Sequence, residues 1–332
     1  MNKKTARILA TGAYLPDKVL TNKDLENMVD TSDDWITTRT GIKERRIAAE
    51  DQSTSDMGVI AAERAIKKSG LDKTNIDAII VATITPDMFF PSTACFIQRK
   101  LGLTHIPCFD ISAACTGYIF SLVTAAQFLK TGAFKNILVV AAEKMSAITD
   151  WEDRATCVLF GDGAGAAVVS EEKGSMEIGQ FFLGSDGRCT DILNIPAGGS
   201  FCPASEETVK KRLHFTKMTG QDVFKHAVRY MTESAENVLK KSGLKIEDID
   251  CLLPHQANIR IITAVAKRLG IPEEKVYLNV HECGNMSAAS SSVGLDGILS
   301  QQKDVKRILM VAFGAGLTYG ALLLQKLGEK NG

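Results

Sequence analysis

The apolar positions of this chain fall into short unbroken runs separated by amphipathic stretches, and the same succession occurs twice. In the first half the runs IDAIIVAT (76–83), PCFDI (107–111), NILVVAA (136–142) and the segment 163–170 are Val, Ile, Ala and Leu with little polar alternation. Strands of that kind are covered on both faces, as in parallel or mixed sheets flanked by helices. Between and before them the spacing predicts helices over 54–69, 92–101 and 115–131. The fold class is therefore α/β.

Direct similarity marks the second copy. AAERAIKKSGL (61–71) aligns with SAENVLKKSGL (234–244) at an offset of 173 residues with seven of eleven positions identical, and Ile76-Asp77 pairs with Ile249-Asp250 at the same offset. RKLGL (99–103) pairs with KRLGI (267–271), and NILVVAAE (136–143) with RILMVAFG (307–314), at slightly smaller offsets. Two copies of one α/β unit account for this most simply, dividing the chain into halves 1–175 and 176–332. A chain of 332 residues also exceeds what one core usually fills. Two such sheets would share the helices 115–131 and 286–300 between them, giving a layered helix-sheet-helix-sheet-helix core.

Composition narrows the partners. The 39 Lys+Arg balance 39 Asp+Glu, which argues against nucleic acid, since phosphate-backbone binders carry a strong basic excess. The 8 cysteines show no CxxC pair, so neither a disulfide framework nor a metal site is expected, and Cys108, Cys157 and Cys251 read as buried small hydrophobes. No stretch approaches the ~20 apolar residues that span a bilayer, and the start MNKKTARILATG is too soon interrupted for a secretory segment. The expectation is a cytoplasmic protein with no membrane partner.

Candidate chemistry gathers at three points. PCFDISAACTGYIFS passes from strand to helix at Cys115, where free backbone N–H groups and the helix dipole favour an anion and make a thiol easier to ionise. PHQAN (254–258) places His255 after the run IDCLLP, and HECGNMSAAS (281–290) places Asn285 after the strand candidate KVYLNV. All three lie past the carboxyl ends of predicted strands, the edge where open α/β sheets hold their reactive groups. A lone cysteine or histidine in such a place is usually core. The joint appearance at repeat-related strand ends reverses that reading. His105, His214, His226 and His281 lack the placement and read as structural or solvated, and GDGAGA (161–166) reads as a close-packed turn because a strand follows it.

The Cys/His/Asn set, the duplication, and the phrases TSDDWITTRTGI, ISAACTGY, FGDGAGAAVV, GSDG, PHQANIRII, GNMSAASS and FGAGLTYG together resemble β-ketoacyl-acyl-carrier-protein synthase III, a thiolase-fold condensing enzyme, from about residue 7 to residue 325. Two positions depart from the family pattern, Met286 after the Asn and Cys283 before it. The resemblance implies that Cys115 takes an acyl group from acyl-CoA, its oxyanion held by its own N–H and by the loop Gly314-Ala315-Gly316. It further implies that His255 and Asn285 stabilise the enolate formed on decarboxylation of malonyl-acyl-carrier protein. The same carry-over gives CoA to Trp35 and Arg154, which would sandwich its adenine, to Arg39, which would meet a phosphate, and to Phe224 and Asn258, which would line the pantetheine tunnel. Lys225, Arg260, Lys267 and Arg268 go to a basic patch by the tunnel mouth for an acidic carrier protein, and Phe90 to a homodimer interface that closes the acyl pocket. No cofactor is implied, acyl-CoA being a substrate. Without the resemblance, the 31–46 segment reads as a surface helix capped by Thr31 or Ser32. The chain order Cys, His, Asn is also that of papain-like hydrolases, and another thioester-condensing activity on the same fold stays open.

Overall fold

The computed structural model describes residues 5–171, 174–302 and 304–326. In chain order its main strands are β1 (Arg7–Tyr14), β2 (Ala78–Ala82), β3 (Cys108–Ile111), β4 (Asn136–Lys144), β5 (Asp162–Ser170), β6 (Met176–Ser185), β7 (Cys251–Pro254), β8 (Arg307–Gly314) and β9 (Thr318–Lys326). They form one sheet in the order β7-β8-β9-β6-β1-β5-β4-β2-β3. The duplication is written in the pairing. β2 and β4 are parallel, as are β7 and β8; β4–β5 and β8–β9 are antiparallel, as are β5–β1 and β9–β6. The two copies meet where β1 and β6 pair at Arg7↔Glu177 and Ile8↔Met176. The two expected sheets are therefore joined edge to edge at this pairing into one nine-stranded sheet. The opening strands β1 and β6, absent from the predicted element string, make that junction.

One element differs more sharply. KVYLNV forms no strand: the counterpart of β3 is the single bridge Leu252↔Val276. Its backbone is drawn elsewhere, since Asn279 N and Val280 N both donate to Gln256 Oε1 at 3.0 and 3.2 Å, leading into the short helix Val280–Cys283. GDGAGA is also mainly strand rather than turn, because β5 begins at Asp162. Its glycines serve close packing. A Cβ on Gly165 would lie 2.4 Å from Ser292 Oγ of the helix beneath.

The main helices are α1 (Asp33–Thr40), α2 (Thr54–Ser69), α3 (Thr93–Leu101), α4 (Gly117–Thr131), α5 (Gly220–Ser242), α6 (Ile259–Leu269) and α7 (Ala288–Gln301). Their apolar faces sort into layers. Tyr118, Ile119 and Leu122 of α4 and Ala288, Leu295 and Ile298 of α7 share one core with the inner faces of both half-sheets. Met57, Ala61 and Ala65 of α2 and Ala94 and Ile97 of α3 cover the outer face of the first copy. Met231, Ala235 and Val238 of α5 and Ile261 and Val265 of α6 cover that of the second. This is the layered helix-sheet-helix-sheet-helix core. At roughly 1.5–3 kcal/mol for each fully buried large aliphatic side chain, the central layer holds both halves together. It brings the starts of α4 and α7 side by side. No described helix is long and apolar enough to cross a membrane.

Candidate active site

A cavity of about 1190 Å³ opens at the strand ends, and Cys115, His255 and Asn285 all line it. Each is nearly buried, at 9%, 3% and 8% exposure. Cys115 sits in a helical turn, Ala114–Thr116, that runs into α4. Ala114 before it has a φ of 46°, a left-handed conformation rare for a residue with a side chain.

Burial pushes the Cys115 thiol up to about 12, helped by the Glu143 carboxylate and opposed by Ser287 and by the residue's own N–H. This corrects the expectation of an easily ionised thiol: the α4 start favours the anion, but desolvation is the larger effect. Burial alone lowers His255 to about 4, so its ring is neutral at physiological pH. Both ring nitrogens lack a partner within the protein. In Asn285 the Oδ1 accepts from Ser287 N at 2.9 Å, which leaves the amide NH₂ as the end free to donate.

The motifs explain how these groups are held. In PHQAN, Pro254 ends β7, and His255 N donates to Val311 O at 2.8 Å. Gln256 Nε2 donates to Pro254 O and Tyr277 O at 2.8 and 3.0 Å. Asn258 caps α6, its Oδ1 accepting from Arg260 N at 2.8 Å. Asn285 is clamped on both sides of its backbone, its N donating to Leu159 O at 2.8 Å and its O accepting from Gly161 N at 3.1 Å. The unusual Met286 and Cys283 face away from the cavity into a small apolar cluster with Ala289 and Val293, so neither disturbs the Asn285 side chain.

Ala315 and Gly316 line the same cavity as the thiol, and Gly314 sits against the cysteine backbone. A Cβ on Gly314 would lie 2.7 Å from Cys115 N, so the close approach requires glycine. Thr318 Oγ1 ties loop to nucleophile turn, lying 2.9 Å from Ala113 O, 2.9 Å from Thr116 Oγ1 and 3.2 Å from Ala315 O. The GSDG phrase supports the same loop. Asp186 exchanges two backbone hydrogen bonds with Leu317, at 2.8 and 2.9 Å.

Trp35, Arg39, Phe224, Lys225, Asn258 and Arg260 also line the cavity, whereas Phe90, Arg154, Lys267 and Arg268 do not. Ser32, not Thr31, caps α1, accepting from Trp35 N at 3.1 Å. The expected sandwich around an adenine is closed in this structure. The Arg154 guanidinium lies 4.7 Å from the Trp35 ring centre and Arg154 donates to Asp30 O at 2.8 Å, so a base would have to displace it. The basic patch is likewise spread out. Lys225 and Arg260 are at the mouth, while Lys267 and Arg268 occupy the last turn of α6, about 10 Å along its axis from Arg260. Phe90 is 85% exposed and Phe89 84%, on a surface segment away from the cavity.

Several contributors escaped the sequence reading. Thr190, Leu193, Met218 and Thr216 build one wall of the cavity from the segment 187–219. That segment follows β6 as 15–53, which carries Trp35 and Arg39, follows β1. Both interrupt the repeat after its first strand, and that interruption was the available signal. Cys157 and Cys251 are buried as expected, but Cys108 is only half-buried on edge strand β3, its Sγ 3.6 Å from Cys95 Sγ.

The model of the family described as 3-oxoacyl-[acyl-carrier-protein] synthase III matches residues 109–187, and that of its C-terminal part matches 239–326. A β-ketoacyl-[acyl-carrier-protein] synthase III of Caldanaerobacter subterraneus subsp. tengcongensis is 53% identical over 97% of this chain and 98% of its own length. The chain belongs to the 3-oxoacyl-[acyl-carrier-protein] synthase III family. The Chlamydia pneumoniae relative of the same name is 50% identical over 98% of both chains. The crystal structure of the Aquifex aeolicus family member superimposes with a TM-score of 0.89 at 46% identity, covering 96% of this chain and 99% of the other. The thiolase-type fold that the resemblance implies is thus that of its family.

Proposed function

We propose that this protein condenses an acyl-CoA primer with malonyl-acyl-carrier protein, releasing CO₂ and giving β-ketoacyl-acyl-carrier protein, the initiating step of fatty acid synthesis. One observation carries the reading: a thiol, a neutral imidazole with both nitrogens unpartnered, and an amide with its NH₂ free share one largely apolar cavity.

In the first half-reaction the Cys115 sulfur attacks the acyl thioester carbonyl, the bond to the CoA sulfur breaks, and the thiol proton ends on CoA. With the thiol pushed up to about 12 by burial, the attacking thiolate is a small fraction of the resting enzyme at neutral pH. A thiolate is both nucleophile and leaving group, which acyl relay between thioesters requires. The carbonyl oxygen is stabilised by Cys115 N–H and the Gly314-Ala315-Gly316 loop. In the second half-reaction the malonyl carboxylate leaves as CO₂ and its electron pair moves onto the thioester oxygen. His255 and the Asn285 NH₂ donate to that oxygen. The enolate carbon then attacks the acyl-Cys115 carbonyl and expels the thiolate, which takes up a proton. Thiol, imidazole, amide and main chain supply every step, with no cofactor.

Trp35, Arg39, Arg154, Phe224 and Asn258 are assigned to CoA, with Arg154 swinging off the indole to admit the base. Lys225, Arg260, Lys267 and Arg268 are assigned to the acidic carrier protein. Arg260 and Lys267, seven residues apart on α6, share a face of that helix. The exposed Phe89 and Phe90 are assigned to the face of a twofold homodimer. A papain-like hydrolase fits less well. That mechanism orients its imidazole through the Asn side chain, and here Asn285 Oδ1 is spent on Ser287 N while His255 has no partner.

The test is reconstitution: with acyl-CoA and malonyl-acyl-carrier protein, CO₂ release and β-ketoacyl-acyl-carrier protein should rise together. Free fatty acid or free CoA without CO₂ would support hydrolysis instead.

A further inference from the structure

Glu143, near the end of β4, is fully buried and takes no part in the chemistry above. Its Oε2 accepts from Thr83 Oγ1, Ile84 N, Thr85 N and Thr85 Oγ1, at 3.1, 3.1, 3.1 and 2.6 Å. Its Oε1 is buried without a partner, and so is the hydroxyl of Ser287, which lines the cavity beside Cys115. Ser287 is near enough to lower the proton affinity of both the Cys115 thiol and the Glu143 carboxyl, though it meets hydrogen-bond geometry with neither. Four donors on one oxygen are far more than packing a spare carboxylate needs. They fix the second oxygen in place.

We propose that Glu143 is a positioning residue for the nucleophile: its carboxyl, anchored through Oε2 and left open at Oε1, acts with Ser287 to set how readily Cys115 gives up its proton. The inference rests on the reading of Cys115 as nucleophile. The titratable group that the Glu143 charge acts on is that thiol. Neighbouring charges are otherwise committed: Lys144 Nζ donates to the carbonyls of Ala49, Glu50 and Gln52, and Asp162 accepts from Ala48 N, Ser146 N and Ser146 Oγ. The groups turned toward it by the segment after β2 and by the N-cap of α7, Thr83, Ile84, Thr85 and Ser287, are neutral. Burial raises the Glu143 carboxyl to about 6, so above that pH a negative charge opposes the thiolate, and below it the charge is gone. A resting thiol kept protonated also resists oxidation, which proceeds through the thiolate.

The test is the pH dependence of Cys115 alkylation by iodoacetamide, quantified on its own peptide by mass spectrometry. Glu143→Gln keeps an oxygen for the four donors and removes the charge. Its alkylation midpoint should move down by about one pH unit or more, making the rate below the midpoint about tenfold faster at fixed pH. Ser287→Ala, which removes a group that lowers the thiol, should move the midpoint up. Unmoved midpoints in the folded variants, or shifts of the same sign, overturn the proposal even if catalysis is slower, because a merely structural role would not move them. If wild-type alkylation and acylation both miss Cys115, the nucleophile assignment fails first.

Discussion

Ala114 and Ser287 stand 173 residues apart, the offset of the internal repeat, and both carry a positive φ, 46° and 47°. One precedes the nucleophile and the other follows Asn285 by two positions. A positive-φ residue thus stands at the start of each central helix, and the two turns aim different functional groups into one cavity. A β-branched residue is strained in that conformation. Ala114→Val should cost about 1–3 kcal/mol in chemical denaturation and slow acylation, whereas Ala114→Gly should fold and acylate. Equal behaviour of the two variants would show that the turn does not constrain the site.

The oxyanion loop depends on backbone contact at Gly314. A methyl group there would meet Cys115 N at 2.7 Å and the Ala114 Cβ at 3.0 Å. Gly314→Ala should lower single-turnover acylation about a hundredfold, as displacements near 1 Å do, and should cost about 1–3 kcal/mol of stability because the clash is with backbone. Near-normal acylation would remove the loop from the mechanism.

His255 and Asn285 should separate the half-reactions. His255→Ala and Asn285→Ala should each reduce malonyl decarboxylation by about two to three orders of magnitude, the usual loss of an oxyanion donor, while acylation of Cys115 persists in part. Because His255 is neutral above about pH 4, wild-type decarboxylation should be flat across neutral pH while acylation rises with pH toward the thiol's range. Variants that lose acylation and keep decarboxylation would reverse the assignment.

The buried imidazole also predicts acid sensitivity. Its folded value of about 4 lies below the ordinary 6.5, so between these pH values the unfolded chain binds a proton that the folded one does not. Stability should therefore fall as pH falls through that window, by about 3 kcal/mol in all. Glu143, raised to about 6, has the opposite sign and loses stability as pH rises from 4.5 toward that value. Denaturation of wild type and His255→Asn isolates the first contribution: the variant should show a shallower decline below pH 6.5. Parallel curves would mean the ring is solvated.

Phe89 and Phe90 leave most of their rings in water in the single chain, at roughly 1.5–3 kcal/mol each if covered. Light scattering should give twice the chain mass, and Phe90→Ala should widen acyl-CoA selectivity toward longer chains. An active monomer, or unchanged selectivity, would contradict the proposed dimer.

Much of this was legible in the sequence because the repeat repeats its physics. Helix 54–69 and the strands at 136–142 and 163–170 are buried on their expected faces, and Cys115, His255 and Asn285 do line one cavity, although no strand precedes Asn285. What was not legible depends on contact across the chain. KVYLNV has the composition of a strand, but Gln256 captures its amides. The thiol's acidity was read from a helix start, whereas burial by both halves decides it. Nothing in the sequence records that Arg154 closes on the Trp35 ring. The segment 187–219 carries no motif beyond its interruption of the repeat, and which of its residues face the cavity follows from where the fold brings them.

The central claim is that Cys115 carries the acyl group between the two thioesters. Incubation with a short acyl-CoA, rapid quench, proteolysis and mass spectrometry test it directly. The acyl mass should be on the peptide containing Cys115, should disappear on adding malonyl-acyl-carrier protein as product forms, and should be absent in Cys115→Ala. Acylation chiefly at another of the cysteines, or condensation by Cys115→Ala at an undiminished rate, would contradict it.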